Sequence, residues 1–263
     1  MGRLLTALTN PVAKLGGSVI EMASHLGAVV VLLARLLRSL VPPRFDIPEF
    51  WRNLYKMGNQ SVPIVMLTAF FVGGIMVIQS AVFVKRFSAT SLLGWGAGYS
   101  VLREVGPILI GLMFSGRVGS NNTAELGTMV VTEQIDGLRA LSIDPMRYLI
   151  VPRILAMVIM LFLLTVMGDL VAILGAMLFG KAMIGIEYTV FYAGLVNSIG
   201  VGDLMHGLIK SLVFGLIIAL TSCHFGLNVR GGAVGVGRAV NAAVVGSALG
   251  IVLSDYFLTY MLT

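Results

Sequence analysis

The stretch VPIVMLTAFFVGGIMVIQSAVFV, residues 62–84, decides the fold because its 23 residues include no charged side chain. A helix needs about 20 mostly apolar residues to cross the hydrocarbon core of a bilayer, so this stretch is long enough. The whole chain has a similar character, since 57% of its residues are hydrophobic and 11% are charged. Soluble domains carry about 25% charged residues. The sequence therefore predicts an all-α membrane protein, and the absence of apolar–polar alternation argues against a membrane β-barrel.

Four further stretches are apolar enough to cross the membrane. The five predicted spans are residues 62–84, 99–119, 148–180, 205–229 and 239–262. They form a single predicted domain, 1–263, without a second domain or a removable signal peptide. Glycines inside the spans, such as Gly73 and Gly74, fit close helix packing or a dimer seam.

The Lys and Arg residues indicate the orientation of the spans. If the N-terminus is inside, 13 of the 18 basic residues fall on the cytoplasmic side. The others lie on or toward the opposite side and are Lys85, Arg86, Arg103, Lys181 and Lys210. The positive-inside rule therefore predicts a cytoplasmic N-terminus and an external C-terminus. Because the basic residues lie between apolar stretches rather than in one patch, no nucleic-acid partner is predicted.

Residues 1–60, ahead of the first span, are predicted to form interfacial helices. One helical face carries the polar residues Lys14, Ser18, Glu21 and His25. This pattern is typical of an amphipathic helix that lies in the membrane surface. Pro42-Pro43 is expected to end this helix, and Pro48 is expected to begin a second, short interfacial helix.

Residues 121–145, between spans two and three, have the pattern of an amphipathic cytoplasmic coupling helix. Asn122 followed by Glu125 resembles a capping box, and Asp144-Pro145 is expected to end the helix. Such a helix suits a groove on a soluble partner, and lying on the lipid surface is the alternative. Acidic residues favour a protein partner, because the inner leaflet is anionic. The residues expected to contact the partner are Glu125, Glu133, Gln134, Asp136, Leu138, Arg139 and Asp144.

Several short motifs resemble the MlaE/YrbE family of ABC transporter permeases, and together they cover nearly the whole chain. In chain order they are Leu54-Tyr55 with Gly58, LREVGP (102–107), SGRVGS (115–120), TAELG (123–127), TEQIDGL (132–138), Asp144-Pro145, LIKSLVF (208–214) and D-x-x-L-T (255–259). Each motif is short, but their order and spacing are specific.

The resemblance implies a homodimer of five-span permease subunits. A bacterial inner membrane and a plastid envelope are both open, and the lack of a transit-peptide pattern favours the bacterial inner membrane. The resemblance also implies a separate ABC ATPase bound at the coupling segment, an MCE-domain lipid-binding protein outside and, in some members, a STAS-domain protein. The implied function is movement of phospholipid between membranes, as in systems that maintain outer membrane lipid asymmetry. The chain has no G-x-x-x-x-G-K-[ST] phosphate loop, so no cofactor is expected in it, and ATP and Mg²⁺ are expected on the partner ATPase.

Four residues are candidates for the lipid pathway. Arg103 and Glu104 lie near the outer end of span two, where charge inside a membrane is costly. The matching pair in the family faces the lipid pathway, which implies that Arg103 binds a headgroup phosphate and that Glu104 orients it or acts as a gate. The alternative is snorkelling or a local ion pair. Lys210 and Gln79 are the other candidates, against an interfacial anchor for Lys210 and a helix–helix hydrogen bond for Gln79.

Two other functions are left open by the residues. Gly200-Val201-Gly202-Asp203 spells the G-x-G-D pattern of intramembrane aspartyl proteases, for which Asp169 would supply the second carboxylate. The Tyr-Asp and Pro-Ala-Leu motifs of those enzymes are absent, so Asp203 is predicted to be a loop residue or a helix cap and the chain not to be an enzyme. A non-transporting membrane scaffold is the other alternative. No metal site is predicted, because the three histidines are scattered.

Overall fold

The computed structural model describes residues 2–39, 46–87 and 92–262, and these residues contain helices and no β-strand. The chain divides into two compact units, residues 1–44 and 45–263. The first unit contains one helix, α1 (Gly2–Ser39). The side chains of Lys14, Ser18 and Glu21, and the whole of Pro42-Pro43, lie outside the described part of the chain. The predicted polar face and the predicted break at the prolines therefore stay predictions.

The second unit begins with helix α2 (Ile47–Phe87), which contains span one. The side chain of Asp46 caps this helix, because its Oδ1 accepts a hydrogen bond of 3.0 Å from the backbone N–H of Glu49. Pro48 lies in the first turn, where its missing N–H has no helical partner to lose. The prediction of a separate short helix was wrong, since α2 continues from Pro48 through Pro63 into the membrane span without a break.

Span two is longer than predicted and runs continuously over Leu93–Val131. It consists of α3 (Leu93–Ser100), α4 (Gly106–Phe114) and α5 (Ser120–Val131), joined by two π-helical turns at Val101–Val105 and Ser115–Gly119. Such π turns inside α-helices are frequent at functional sites. These two coincide with the LREVGP and SGRVGS motifs.

The coupling segment differs from the single capped helix predicted for residues 121–145. No helix begins at Asn122, because the chain is already helical through Gly119 and Ser120. The break comes later, at Thr132 and Glu133, after which α6 (Gln134–Ala140) forms a second short helix. Glu133 has a left-handed backbone with φ 58°, which is costly for a residue with a side chain.

Three more long helices complete the second unit. Span three is Met146–Ile184, in which π turns at Met146–Ile150 and Gly180–Ile184 flank α7 (Val151–Phe179). Spans four and five are α9 (Val201–Leu227) and α10 (Gly232–Leu262). Among the residues that the structure describes, five helices are thus long and apolar enough to cross a membrane, as predicted. The short helix α8 (Tyr188–Ser198), between spans three and four, was not predicted because its 11 residues cannot span a bilayer.

Glycines bring α2 and α7 into close contact. A Cβ atom on Gly73 would lie 1.8 Å from the backbone oxygen of Ala172, and one on Gly175 would lie 2.2 Å from that of Phe70. Small residues permit this kind of backbone approach between membrane helices. The structure thus uses Gly73 for packing within the chain.

We expect Gly73→Ala to destabilise the protein by about 1–3 kcal/mol or more, because the added methyl group meets backbone atoms that cannot rotate away. The measurement is thermal unfolding of the detergent-purified protein. Gly237→Ala is the matched control, since a Cβ there has no neighbour within 4 Å. Equal unfolding temperatures for the two variants would contradict the close approach of α2 and α7.

Candidate functional site

Five charged residues meet in the second unit where span two faces α9 and α10. We call them, with one hydroxyl residue, the core ion cluster: Arg103, Glu104, Asp203, Lys210, Asp255 and Thr259. The cluster forms because α9 packs its backbone against the π turn Val101–Val105. A Cβ atom on Gly207 would lie 2.0 Å from the carbonyl oxygen of Leu102. Lys210 follows Gly207 by about one helical turn and so reaches Glu104.

Lys210 is the centre of the cluster, and its side chain has an exposed fraction of 0%. Its Nζ donates a hydrogen bond to Glu104 Oε2 and another, of 2.8 Å, to the hydroxyl of Thr259. It also lies 2.9 Å from Asp255 Oδ1, as a close ion pair without hydrogen-bond geometry. A buried ammonium needs such partners, because transfer of an isolated charge from water into a protein interior is very costly. The alternative of an interfacial anchor for Lys210 is therefore wrong.

Arg103 extends the cluster toward the beginning of α9. Its Nη1 lies 3.2 Å from Asp203 Oδ1, and its guanidinium stands over the ring of Tyr99 at 5.3 Å from the centroid. The other carboxylate oxygen of Asp203 accepts a hydrogen bond from the backbone N–H of Gly200. Asp203 is thus a helix cap, as predicted, and an ion-pair partner in addition. Of the two cations in the cluster, Arg103 is the one that is partly exposed, and a guanidinium group binds phosphate well.

Gln79, the fourth lipid-pathway candidate, is not part of this cluster. Its side chain is exposed on the surface of α2. The structure brings together Arg103, Glu104 and Lys210, and it adds Asp203, Asp255 and Thr259 as their partners. Asp255 and Thr259 belong to the D-x-x-L-T motif. This motif was recognised in the sequence, but its residues were not predicted to be part of the site.

A second polar cluster joins four helices at the far end of span two. This inter-span network consists of Lys56, Asn121, Asn122, Glu125, Arg153 and Ser222. Glu125 accepts hydrogen bonds from Lys56, from Asn121 at 2.9 Å and from Arg153 at 3.3 Å. Asn122 was predicted as a helix cap, but its buried side chain instead bonds Ser222 at 2.9 Å. The carboxylate of Glu125 is therefore engaged within the chain, and its contact with a partner stays a prediction.

The other candidate partner-contact residues lie on the surface of the coupling segment. Exposed side chains belong to Glu133, Gln134, Asp136, Arg139 and Asp144, and Leu138 is half-buried. Asp136 and Arg139 form an exposed ion pair of 2.8 Å. Leu141, which is 72% exposed, adds an apolar side chain to this charged surface. A projecting surface of this composition suits a protein groove, in which an apolar side chain can be buried among charged neighbours.

The proposed pair of protease aspartates is not formed. Asp169 is 2% exposed, and neither of its carboxylate oxygens has a hydrogen-bond partner in the described part of the chain. Asp203 is engaged by Arg103 and Gly200 instead. An aspartyl protease needs two carboxylates that share a proton, and these two do not.

Comparison with known proteins identifies the family of the chain. The family described as Permease MlaE matches residues 50–261. An ABC transporter permease protein of Rickettsia typhi is 36% identical over 255 residues, which are 97% of this chain and 98% of that protein. The intermembrane phospholipid transport system permease protein MlaE of Haemophilus influenzae is 31% identical over 96% of this chain and 97% of its own length.

A plant protein is similar as well. The chloroplast protein TRIGALACTOSYLDIACYLGLYCEROL 1 of Arabidopsis thaliana is 38% identical over 216 residues, 80% of this chain and 61% of that protein. The family match extends from the first turns of α2 to the end of α10, and it includes both polar clusters and the coupling segment. With five apolar helices and this match, the chain is a multi-pass membrane protein that belongs to the MlaE permease family.

Proposed function

We propose that the chain is the permease subunit of an ABC transporter that moves phospholipid between membranes together with an MCE-domain protein. A separate ATPase, with ATP and Mg²⁺, supplies the energy. The observation that carries the proposal is the buried core ion cluster, in which Lys210 is fully enclosed between Glu104, Asp255 and Thr259. Charged groups inside a membrane domain are costly and are retained mainly where they serve a substrate or a conformational change. The name of the Haemophilus influenzae relative supports phospholipid as the substrate.

In this proposal the N-terminus is cytoplasmic, the membrane is a bacterial inner membrane, and the coupling segment faces the cytoplasm. The distribution of Lys and Arg residues supports this orientation. The core ion cluster then lies toward the outer side, where Arg103 meets a headgroup phosphate and the enclosed Lys210 holds Glu104 and Asp255 together. In some systems a STAS-domain protein binds the ATPase in addition.

The transporter is proposed to be a homodimer, with α10 toward the second copy. Only 17% of the most apolar window of α10 is buried, compared with 61% for span three. Its exposed side chains include Leu249, Leu253 and Phe257. An open groove of about 670 Å³ is lined mainly by span two, with Ile64 of α2 and Val240 of α10 beside it. Its apolar part, which includes Leu112 and Met113, offers surface for acyl chains, and Arg117 lies at the same groove.

The mechanism follows from the connections between the segments. Closure of two ATPase subunits displaces α6, and the inter-span network transmits the movement to α2, α7 and α9 through Lys56, Arg153 and Ser222. Movement of α9 against span two then changes the distances between Lys210 and its partners. The lipid site thus has two states of different affinity, and ATP selects between them.

We expect the ATPase to co-purify with the wild-type chain and to be released by Glu133→Lys together with Asp136→Lys. Both side chains are exposed, so reversal of their charge changes the docking surface without an effect on the core. Retention of the ATPase is measured by affinity purification from cells that express both proteins. Like charges placed at an interface weaken association strongly.

The matched control is Glu187→Lys, an exposed acidic residue before α8 and remote in sequence from the coupling segment. This variant should keep the ATPase. A wild-type chain that retains no ATPase would contradict the transporter proposal and favour the scaffold. If the charge-reversal variant and the Glu187→Lys control both lose the ATPase, the result would contradict only the assignment of the docking site to the coupling segment.

A further inference from the structure

Asp169 is a buried acid for which the transport mechanism above has no use. It lies within α7, between span one and span two, in a cavity of about 10 Å³. That volume holds about one water molecule. Its two carboxylate oxygens are buried and have no hydrogen-bond partner among the described residues.

Of the described residues, those that line the cavity around Asp169 carry no charge that could neutralise its carboxylate. The side of the cavity formed by α2 is apolar except for Thr68, whose hydroxyl already donates to the carbonyl oxygen of Ile64 at 2.8 Å. On α7 itself the lining consists of Gly168 and Ala172. Span two contributes Gly106 and apolar side chains that follow it.

The nearest charged residues in sequence on span two lie ahead of Gly106 and have other partners. Arg103 is engaged by Asp203, and Glu104 by Lys210. No basic residue lines the cavity. An ionised carboxylate without a cation or hydrogen-bond donors is very unfavourable in such a site, and a neutral acid is not.

The carboxyl group of Asp169 and the carbonyl oxygen of Val101, in the π turn Val101–Val105, both lie against Gly106. The position that a Cβ atom on Gly106 would take is 2.6 Å from Asp169 Oδ1 and also 2.6 Å from the carbonyl oxygen of Val101. This oxygen accepts the backbone N–H of Gly106 and has a second lone pair available. The glycine is thus the reason that the carboxyl group reaches the turn.

We infer that Asp169 is a proton-binding site inside the membrane domain, which holds its proton while spans two and three are packed together. When the two spans separate and water enters, the acid releases the proton to that water and becomes a hydrated carboxylate. The same π turn carries Arg103 and Glu104. The proton therefore favours the packed arrangement of the turn that positions the core ion cluster, and Asp169 is a positioning residue.

The protonation of Asp169 is independent of the proposed transport function, and only its effect on lipid movement rests on that function. The packed state binds the proton and the separated state releases it. The packed state should therefore gain stability at low pH and lose it as the pH rises. This sign is opposite to that of a carboxylate held ionised by an ion pair.

Infrared difference spectroscopy of the purified protein tests the inference directly. The wild type minus Asp169→Asn spectrum at neutral pH should show one carbonyl band of a protonated carboxylic acid, with no loss of a carboxylate band. Asp203→Asn is the matched control and should remove a carboxylate band, because Asp203 is ion-paired with Arg103. Loss of a carboxylate band from Asp169→Asn as well would overturn the inference.

Two further measurements keep the test decisive. If Asp169→Asn does not fold, wild-type protein with ¹³C-labelled aspartate should still show a shifted carboxylic acid band at neutral pH, and its absence would overturn the inference. As the pH rises from about 4, where an unfolded aspartate loses its proton, to neutral, the unfolding temperature of the wild type should fall relative to that of Asp169→Asn, whose amide keeps the size and the hydrogen-bond donor without a titration. Parallel pH profiles of the two proteins over this range would contradict the link between the proton and the packing of the spans.

Discussion

Lys210→Met is expected to abolish lipid transport and to destabilise the protein by about 3–5 kcal/mol, the usual cost of removing one partner from a buried ion pair. Methionine fills a similar volume, so the loss comes from the charge and not from a cavity. Without the ammonium, the carboxylates of Glu104 and Asp255 face each other without a cation between them. The measurements are thermal unfolding in detergent and transfer of labelled phospholipid from liposomes that contain the reconstituted transporter.

Two comparisons separate the contribution of the ion pair from a general effect of lysine removal. Lys181→Met is the matched control, because Lys181 is exposed and contacts only the ring of Tyr188 in the described part of the chain, at 4.4 Å from the centroid. It should unfold close to the wild-type temperature. The double variant Glu104→Gln with Lys210→Met should regain part of the lost stability and still not transport lipid. A single Lys210→Met variant as stable as the control would contradict the energetic role of the cluster.

The five spans could be predicted from the sequence because hydropathy and length alone determine which segments cross a membrane. Span one was expected at residues 62–84, and the corresponding apolar helix covers Ile47–Val82. The ends were less predictable. Span two extends to Leu93 and Val131, beyond the predicted 99–119, because its ends pack against other helices rather than against lipid.

The coupling segment shows why a local sequence signal failed. Asn122 and Glu125 have the spacing of a capping box, and in isolation a helix could begin there. In the folded chain Asn122 is 2% exposed and bonds to Ser222 on α9, which is about 100 residues away. Long-range hydrogen bonds of this kind leave no pattern in a single sequence, so the tertiary structure overrides the local preference.

The candidate site, too, was predictable from the sequence only in part. Arg103, Glu104 and Lys210 were identified because charges inside apolar stretches are unusual and because they lie in recognisable motifs. Their pairing was not predictable, since Arg103 pairs with a residue 100 positions away and Lys210 pairs with residues of two other helices. Gln79 was selected by the same reasoning, yet the face of α2 that carries it is exposed. A polar residue in a span thus indicates a site only when the orientation of its helix is known.

The inter-span network leads to the second large expected effect. Arg153 is 6% exposed on α7, and its Nη1 donates to Asn122 Oδ1 at 3.2 Å and to Glu125 Oε2 at 3.3 Å. Arg153→Met removes both hydrogen bonds, of which one is to a charged group. Because hydrogen bonds to charged groups contribute about 1.5–3 kcal/mol, we expect a loss of stability of that size. Glu125 keeps Lys56 and Asn121 as partners, so the loss should stay below that of Lys210→Met.

The same substitution should separate ATP hydrolysis from lipid movement. Arg153 connects α7 to the end of span two, where the coupling segment begins. Substitution of Arg153 removes the ion pair with Glu125 that joins these two helices. We expect the complex to retain its ATPase and to hydrolyse ATP while lipid transfer per ATP falls severalfold. Arg147→Met is the matched control, because Arg147 lies six residues earlier, is 43% exposed and forms only a long ion pair of 3.8 Å with Asp144. If both variants transfer lipid at the wild-type ratio to ATP, movement must pass from the coupling segment to the spans by packing contacts alone, and the network serves only stability.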